Sequence, residues 1–155
     1  MAAKIDDLII KMENARSRLN SAIEIVTPHA EIYPAWCLKQ LMDHITGWDE
    51  LLASSFCAHS RGDPPIMLAD RGIDKYTDGS ITARKEISLE GSQKAYDEAP
   101  LEVLETLHKM PPDKRNQKFL SLWGNLCSIA SDLKIFISHG RDHAADLEER
   151  VKQGW

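Results

Sequence analysis

Two histidines have the spacing of a metal-binding pair. His139 and His143 are four residues apart in a segment whose apolar residues recur at helical steps. This spacing places both imidazole rings on one face of a helix, about one turn apart. Two imidazoles arranged in this way can bind one transition-metal ion. Such pairs also arise by chance in helices, so the pair alone does not define a site.

A third histidine strengthens the metal hypothesis. His44 lies between Leu41 and Trp48, at the edge of the apolar stripe of another predicted helix. Three histidines on two helix edges could meet at one point and leave coordination positions open, as in catalytic metal sites. Zinc, nickel, iron and copper all accept imidazole ligands. The alternative is that each histidine hydrogen-bonds a carbonyl or a carboxylate, and spacing alone does not choose between the two.

The acidic neighbours of these histidines suggest supporting roles. Asp146 continues the histidine stripe and could orient His143 or act as a general base, so it is the one catalytic candidate. An exposed ion pair between Asp146 and Arg150 is the simpler interpretation. Asp43 and Asp142 each adjoin a histidine in sequence, which predicts that both point away to solvent.

The cysteines are predicted not to bind the metal. Cys37 precedes His44 by seven residues, a rise of about 10 Å, and Cys127 precedes His139 by about 18 Å along a helix. Cys37 could be a reactive thiol near a helix amino end or a small apolar filler.

Four amphipathic helices are predicted to position these residues. The predicted ranges are 5–26, 38–56, 88–110 and 125–153. Pro28 ends the first helix, Ser88 caps the third, and Asn125 caps the fourth. The third helix continues past Pro100 with a kink. Residues 59–80 are rich in turn-forming residues and are expected to be irregular, so the expected fold is an all-α four-helix bundle with a long crossover between helices two and three.

Composition limits the classes of function. The 155 residues suit a single domain, 1–155, with 43% hydrophobic and 28% charged residues. The net charge of −5 argues against nucleic-acid binding. No apolar stretch reaches the length of a membrane span, and no signal peptide is visible. Three cysteines without a CxxC pair favour a reducing, cytoplasmic location.

Two segments resemble the DinB-like superfamily, which includes the amino-terminal domains of mycothiol-dependent maleylpyruvate isomerases. Residues 36–50, WCLKQLMDHITGWDE, resemble its W-S-x-K-D-x-L-x-H-[IL]-x-x-W-x-E helix, and residues 139–147 resemble its closing H-x-x-x-H-x-x-x-[IL] helix. Cys37 stands where the superfamily usually has Ser or Thr. The resemblance implies a bundle of up-up-down-down order, a homodimer, and a divalent ion bound by His44, His139 and His143.

The resemblance also narrows the expected function. It implies a metal-dependent transferase or hydrolase that uses a low-molecular-weight thiol or activated water on a small molecule, in stress or detoxification. The alternative is a non-enzymatic bundle that binds a small molecule or a partner. An enzyme needs an exchangeable ligand on the metal, whereas a binding protein should keep its affinity when the metal is removed.

Overall fold

The protein is almost entirely helical. Its structure, a computed structural model, describes residues 2–68 and 72–154. The elements are α1 (Ala2–Glu24), α2 (Leu38–Arg61), α3 (Ile73–Ala83), α4 (Leu89–Lys109), α5 (Pro112–Asn116), β1 (Phe119–Leu120), β2 (Leu126–Cys127) and α6 (Ile129–Lys152). Helices hold 72% of these residues, which confirms the all-α prediction. Within the same ranges, no helix has both the length and the apolar character that a membrane span requires.

The chain divides into two compact units. The first contains α1, the connection that follows it, and α6, and the second runs from Lys39 to Ser128. In the first unit α1 packs along α6. Arg18 on α1 donates two hydrogen bonds to the Glu148 carboxylate on α6, at 2.8 and 2.6 Å. Both side chains are exposed, so this pair adds little stability.

The fourth predicted helix begins later than expected. Asn125 does not cap it, because its carbonyl accepts a hydrogen bond from the Ser121 amide and its side chain bonds the Ser121 hydroxyl. Those bonds close a hairpin in which β1 and β2 pair antiparallel. α6 starts at Ile129. Leu126, which lies within the predicted fourth helix, is instead 63% exposed on β2.

The segment 59–80 is more regular than its composition indicates. α2 continues to Arg61 and ends in a Schellman motif: Gly62 has φ 75°, its amide bonds the His59 carbonyl, and the Asp63 amide bonds the Ala58 carbonyl. α3 then occupies Ile73–Ala83. The prediction of an irregular crossover is therefore wrong for both ends of the segment, and residues 69–71 lie outside the described residues.

The third predicted helix is confirmed as α4. The Ser88 side chain accepts a hydrogen bond from the Gly91 amide, and the helix continues through Pro100. The Pro111–Pro112 pair ends α4, but Pro112 also begins the short helix α5, since proline is well tolerated in a first turn.

Candidate metal centre

His139 and His143 face each other on α6. Their Nε2 atoms lie 2.9 Å apart, and their ring centroids are separated by 4.5 Å. Two imidazole nitrogens that each bind one ion at about 2.0–2.1 Å lie roughly 2.9–3.4 Å apart for angles between 90° and tetrahedral. The spacing of the two nitrogens therefore fits a shared ion. Both histidines belong to the first unit.

Tyr33 holds the His143 ring from the opposite side. Its hydroxyl lies 2.8 Å from His143 Nδ1 and donates a hydrogen bond of 2.6 Å to Asp146 Oδ2. A hydroxyl has one proton, and a carboxylate only accepts, so the Tyr33 hydroxyl directs its proton toward Asp146. The Tyr33 oxygen then accepts from Nδ1–H of His143. This tautomer leaves the Nε2 lone pair of His143 directed at His139.

A tight turn places Tyr33 at this position. The Trp36 amide donates to the Tyr33 carbonyl at 2.8 Å, and Pro34 and Ala35 occupy the two central positions. Ala35 has φ 65°, a conformation that favours glycine. The Tyr33 and Trp36 rings also contact edge to face, with centroids 5.9 Å apart. A strained residue thus sits two positions from the group that orients His143.

Burial keeps both α6 histidines neutral. Burial, helped by the adjacent His139 and opposed by Asp146, lowers the pKa of His143 to about 4. Burial also lowers the pKa of His139; Asp142 weakly opposes this shift, and Arg16 weakly adds to it. Because only a neutral imidazole can bind a metal, both rings are ready to do so at neutral pH. Burial and the Asp146 carboxylate raise the pKa of Tyr33, so the phenol also stays protonated.

The third candidate ligand lies on α2, in the second unit. The His44 side chain is 8% exposed on that helix. Three imidazoles suit zinc, nickel, iron or copper and are a poor donor set for magnesium or calcium. The donor chemistry therefore fits the divalent transition metal expected from the sequence.

α3 supports the part of α2 that carries His44. The Trp48 indole, one turn further on, donates to Thr77 Oγ1 at 3.2 Å, and the Tyr76 hydroxyl donates to the Gly47 carbonyl at 2.8 Å. A Cβ at Gly47 would lie 2.6 Å from Ser80 Oγ. α3 can approach α2 this closely only because position 47 has no side chain.

One acidic residue does not lie where the sequence predicts. Asp43 is 1% exposed rather than solvent-facing, because the Lys39 ammonium, one turn earlier, pairs with its carboxylate at 2.7 Å. The same ammonium donates to the Arg84 carbonyl after α3. Asp142 is exposed, as predicted. Asp146 contacts Tyr33, a residue that helical spacing could not link to α6.

Tyr33 is the site residue that sequence reasoning missed. Its partner His143 is 110 residues away, and no periodic pattern connects a loop residue with a helix at that separation. The Tyr-Pro-Ala-Trp sequence signals a turn but not its contact. That the cysteines are not ligands stays a prediction.

Comparison with known proteins identifies the fold. No family model matches the sequence, and no curated protein matches it. Among solved structures, the mycothiol-dependent maleylpyruvate isomerase superposes with a TM-score of 0.77 at 12% identity, over 92% of this chain and 60% of that chain. A histidine-to-alanine mutant of that enzyme gives 0.76 at 11% identity, with the same coverage.

These matches define an all-α DinB-like fold and confirm the fold resemblance. The order of helix directions, up-up-down-down, stays a prediction. The chain spans less than two thirds of the isomerase, and the identity is low, so the match carries the fold and not the reaction.

Proposed function

We propose that this protein binds one divalent transition-metal ion through His44, His139 and His143. The observation that carries the proposal is the 2.9 Å separation of the two α6 Nε2 atoms on rings that burial keeps neutral. The hydrogen bond from His143 Nδ1 to Tyr33 supports it, because metal-binding histidines usually donate from their second nitrogen.

We further propose that the protein is a metal-dependent transferase or hydrolase with a small thiol or water as co-substrate. A divalent ion held by three imidazoles acts as a Lewis acid and favours the deprotonated form of a thiol or a water. The mycothiol dependence of the enzyme that shares this fold supports a thiol. Asp146 would serve as a positioning residue, since its carboxylate contacts Tyr33 and acts on His143 through that hydroxyl.

Elemental analysis of tag-free protein purified without chelator tests the metal site. We expect about one divalent ion per chain, and loss of most of it in His139→Ala. His108→Ala is the matched control, because His108 is exposed on α4. Equal metal content in His139→Ala and the control, or no metal in any protein after incubation with zinc and nickel, would refute the site.

Thiol-transfer and hydrolysis screens then test the reaction separately. Two results together would support an enzyme. Turnover should be absent in His139→Ala, and metal-depleted parent protein should regain turnover when metal is added. A ligand whose affinity survives metal removal would instead identify a non-enzymatic binding protein, while leaving the metal result intact. The homodimer and the cytoplasmic location stay predictions. Light scattering of the purified protein checks the dimer, and cell fractionation checks the location.

A further inference from the structure

A cavity lies wholly within the second unit. It has a volume of about 270 Å³. The lining residues are Ser55, His59, Gly62, Asp63, Pro65, Lys114, Gln117, Lys118, Phe119 and Leu120. His59 is fifteen residues after His44 on α2, which corresponds to about 22 Å along the helix axis. A ligand of ordinary metabolite size could not occupy this cavity and contact His44.

Three elements build the walls of the cavity with defined contacts. The Schellman motif at Gly62 turns the chain back so that Asp63 lies beside the last turn of α2. The His59 ring stacks on Phe119 of β1, with centroids 4.5 Å apart and planes at 21°. Phe119 also packs edge to face against Phe56 at 6.2 Å. These contacts preform one apolar wall.

The fourth contact joins α2 to α5 and fixes the histidine tautomer. His59 Nε2 lies 2.8 Å from the Lys114 carbonyl oxygen. A carbonyl can only accept, so Nε2 carries the proton and donates it. In the neutral ring, Nδ1 is then left as an acceptor. The same bond holds the backbone of Lys114 at the cavity. The side chain of Lys114 carries a positive charge.

Charge at the cavity favours a negative ligand. The lining residues include two lysines, Lys114 and Lys118, the amide residue Gln117, and one acidic residue, Asp63. The local charge is positive in a protein whose net charge is −5. Six of the ten lining residues have polar side chains, so the cavity offers partners for a charged group beside its apolar wall.

From these observations we propose that the cavity binds a small organic anion, a carboxylate attached to a ring or to a short apolar body. The carboxylate would face Lys114 and Lys118, and the apolar body would lie against Phe119, Leu120 and Pro65. The volume equals that of about nine liquid waters, which suits a ligand of roughly ten non-hydrogen atoms. This site is independent of the proposed metal function.

Titration of ¹⁵N-labelled protein with benzoate tests the proposal. We expect saturable shifts of the amides of Lys118, Phe119 and Leu120 and of the His59 ring. Benzamide, the uncharged analogue of the same shape, should bind at least tenfold more weakly. Lys114→Gln and Lys118→Gln should each weaken benzoate binding at least about threefold. Lys134→Gln, the same change at an exposed site on α6, should leave it unchanged.

Asp63→Asn makes the test depend on the sign of the charge. Removal of the one carboxylate of the lining should strengthen benzoate binding about twofold to threefold. The proposal is overturned if benzoate gives no saturable shift up to about 10 mM, a free energy of binding weaker than roughly −3 kcal/mol. Equal binding of benzamide, or shifts confined to the α6 histidines, would also overturn it.

Discussion

The hydroxyl of Tyr33 lies 2.8 Å from Nδ1 of His143 and donates its hydrogen bond to Asp146. The loop residue therefore selects which nitrogen of His143 keeps a lone pair. The selected nitrogen, Nε2, is the one that faces His139. An outer hydrogen bond of this kind fixes both the tautomer and the ring orientation of a ligand before any metal arrives.

Loss of the Tyr33 hydroxyl should weaken metal binding. Tyr33→Phe leaves the ring in place and removes the acceptor for His143 Nδ1, so we expect a 10- to 100-fold lower metal affinity. Competition with a fluorescent chelator measures it. Tyr96→Phe removes a hydroxyl from a buried tyrosine on α4 and serves as the control. Equal losses in the two variants would mean that Tyr33 acts only through general stability.

Acid should destabilise the metal-free protein through His143. Its pKa is about 4 in the folded state and near 6.5 when unfolded, so the unfolded state binds more protons between these values. The contribution is present above pH 6.5 and is lost as the pH falls to 4. Its full size is up to about 3 kcal/mol. Denaturant unfolding at several pH values should show a shallower pH dependence in His143→Gln, and parallel curves would contradict this assignment.

A methyl group at Gly47 should disturb the packing of α3 on α2. Gly47→Ala places a Cβ 2.6 Å from Ser80 Oγ, and we expect a loss of about 1–3 kcal/mol in the free energy of unfolding. At Gly79 an added Cβ meets nothing within 4 Å. Gly79→Ala should therefore stabilise the protein by about 0.5–1 kcal/mol. If thermal unfolding shows that both substitutions stabilise the protein, helix propensity dominates over the close approach at Gly47.

Relief of backbone strain at Ala35 should stabilise the protein. Its φ of 65° suits glycine, so Ala35→Gly is expected to gain about 0.5–1 kcal/mol despite the greater entropy of the unfolded chain. Ala30, in the same connection, does not have a positive φ. Ala30→Gly should lose up to about 1 kcal/mol, as measured by denaturant titration. A loss at both positions would refute the strain.

Local signals predicted the helices that rely on local interactions. Ser88 caps α4 as expected, and the stripe of the helix continues through Pro100. α3 escaped prediction because its inward residues are polar: Thr77 and Ser80 face α2, and the helix depends on contacts with Trp48 and Gly47. Contacts with α2 stabilise α3, and its sequence has no helical repeat of apolar residues that would predict it.

The same distinction separates the site residues. His139 and His143 meet because helical spacing brings them together, so the sequence predicted their proximity. Asp43 was expected at the surface because it adjoins His44 in sequence and so points about 100° away around the helix, but Lys39 pairs with it in the interior. The position of Tyr33 depends on a turn and on a helix far away in the sequence, and the pattern of a single sequence does not reveal a contact between them.

The neutrality of the buried rings has a consequence for charge balance at the proposed site. Neutral imidazoles bring no negative charge, so a divalent cation among them would keep both of its positive charges. The protonated Tyr33 adds none, and Asp146 offsets one charge from beyond the phenol. An anionic co-ligand completes the neutralisation, which favours a thiolate or a carboxylate over an uncharged molecule at the open position.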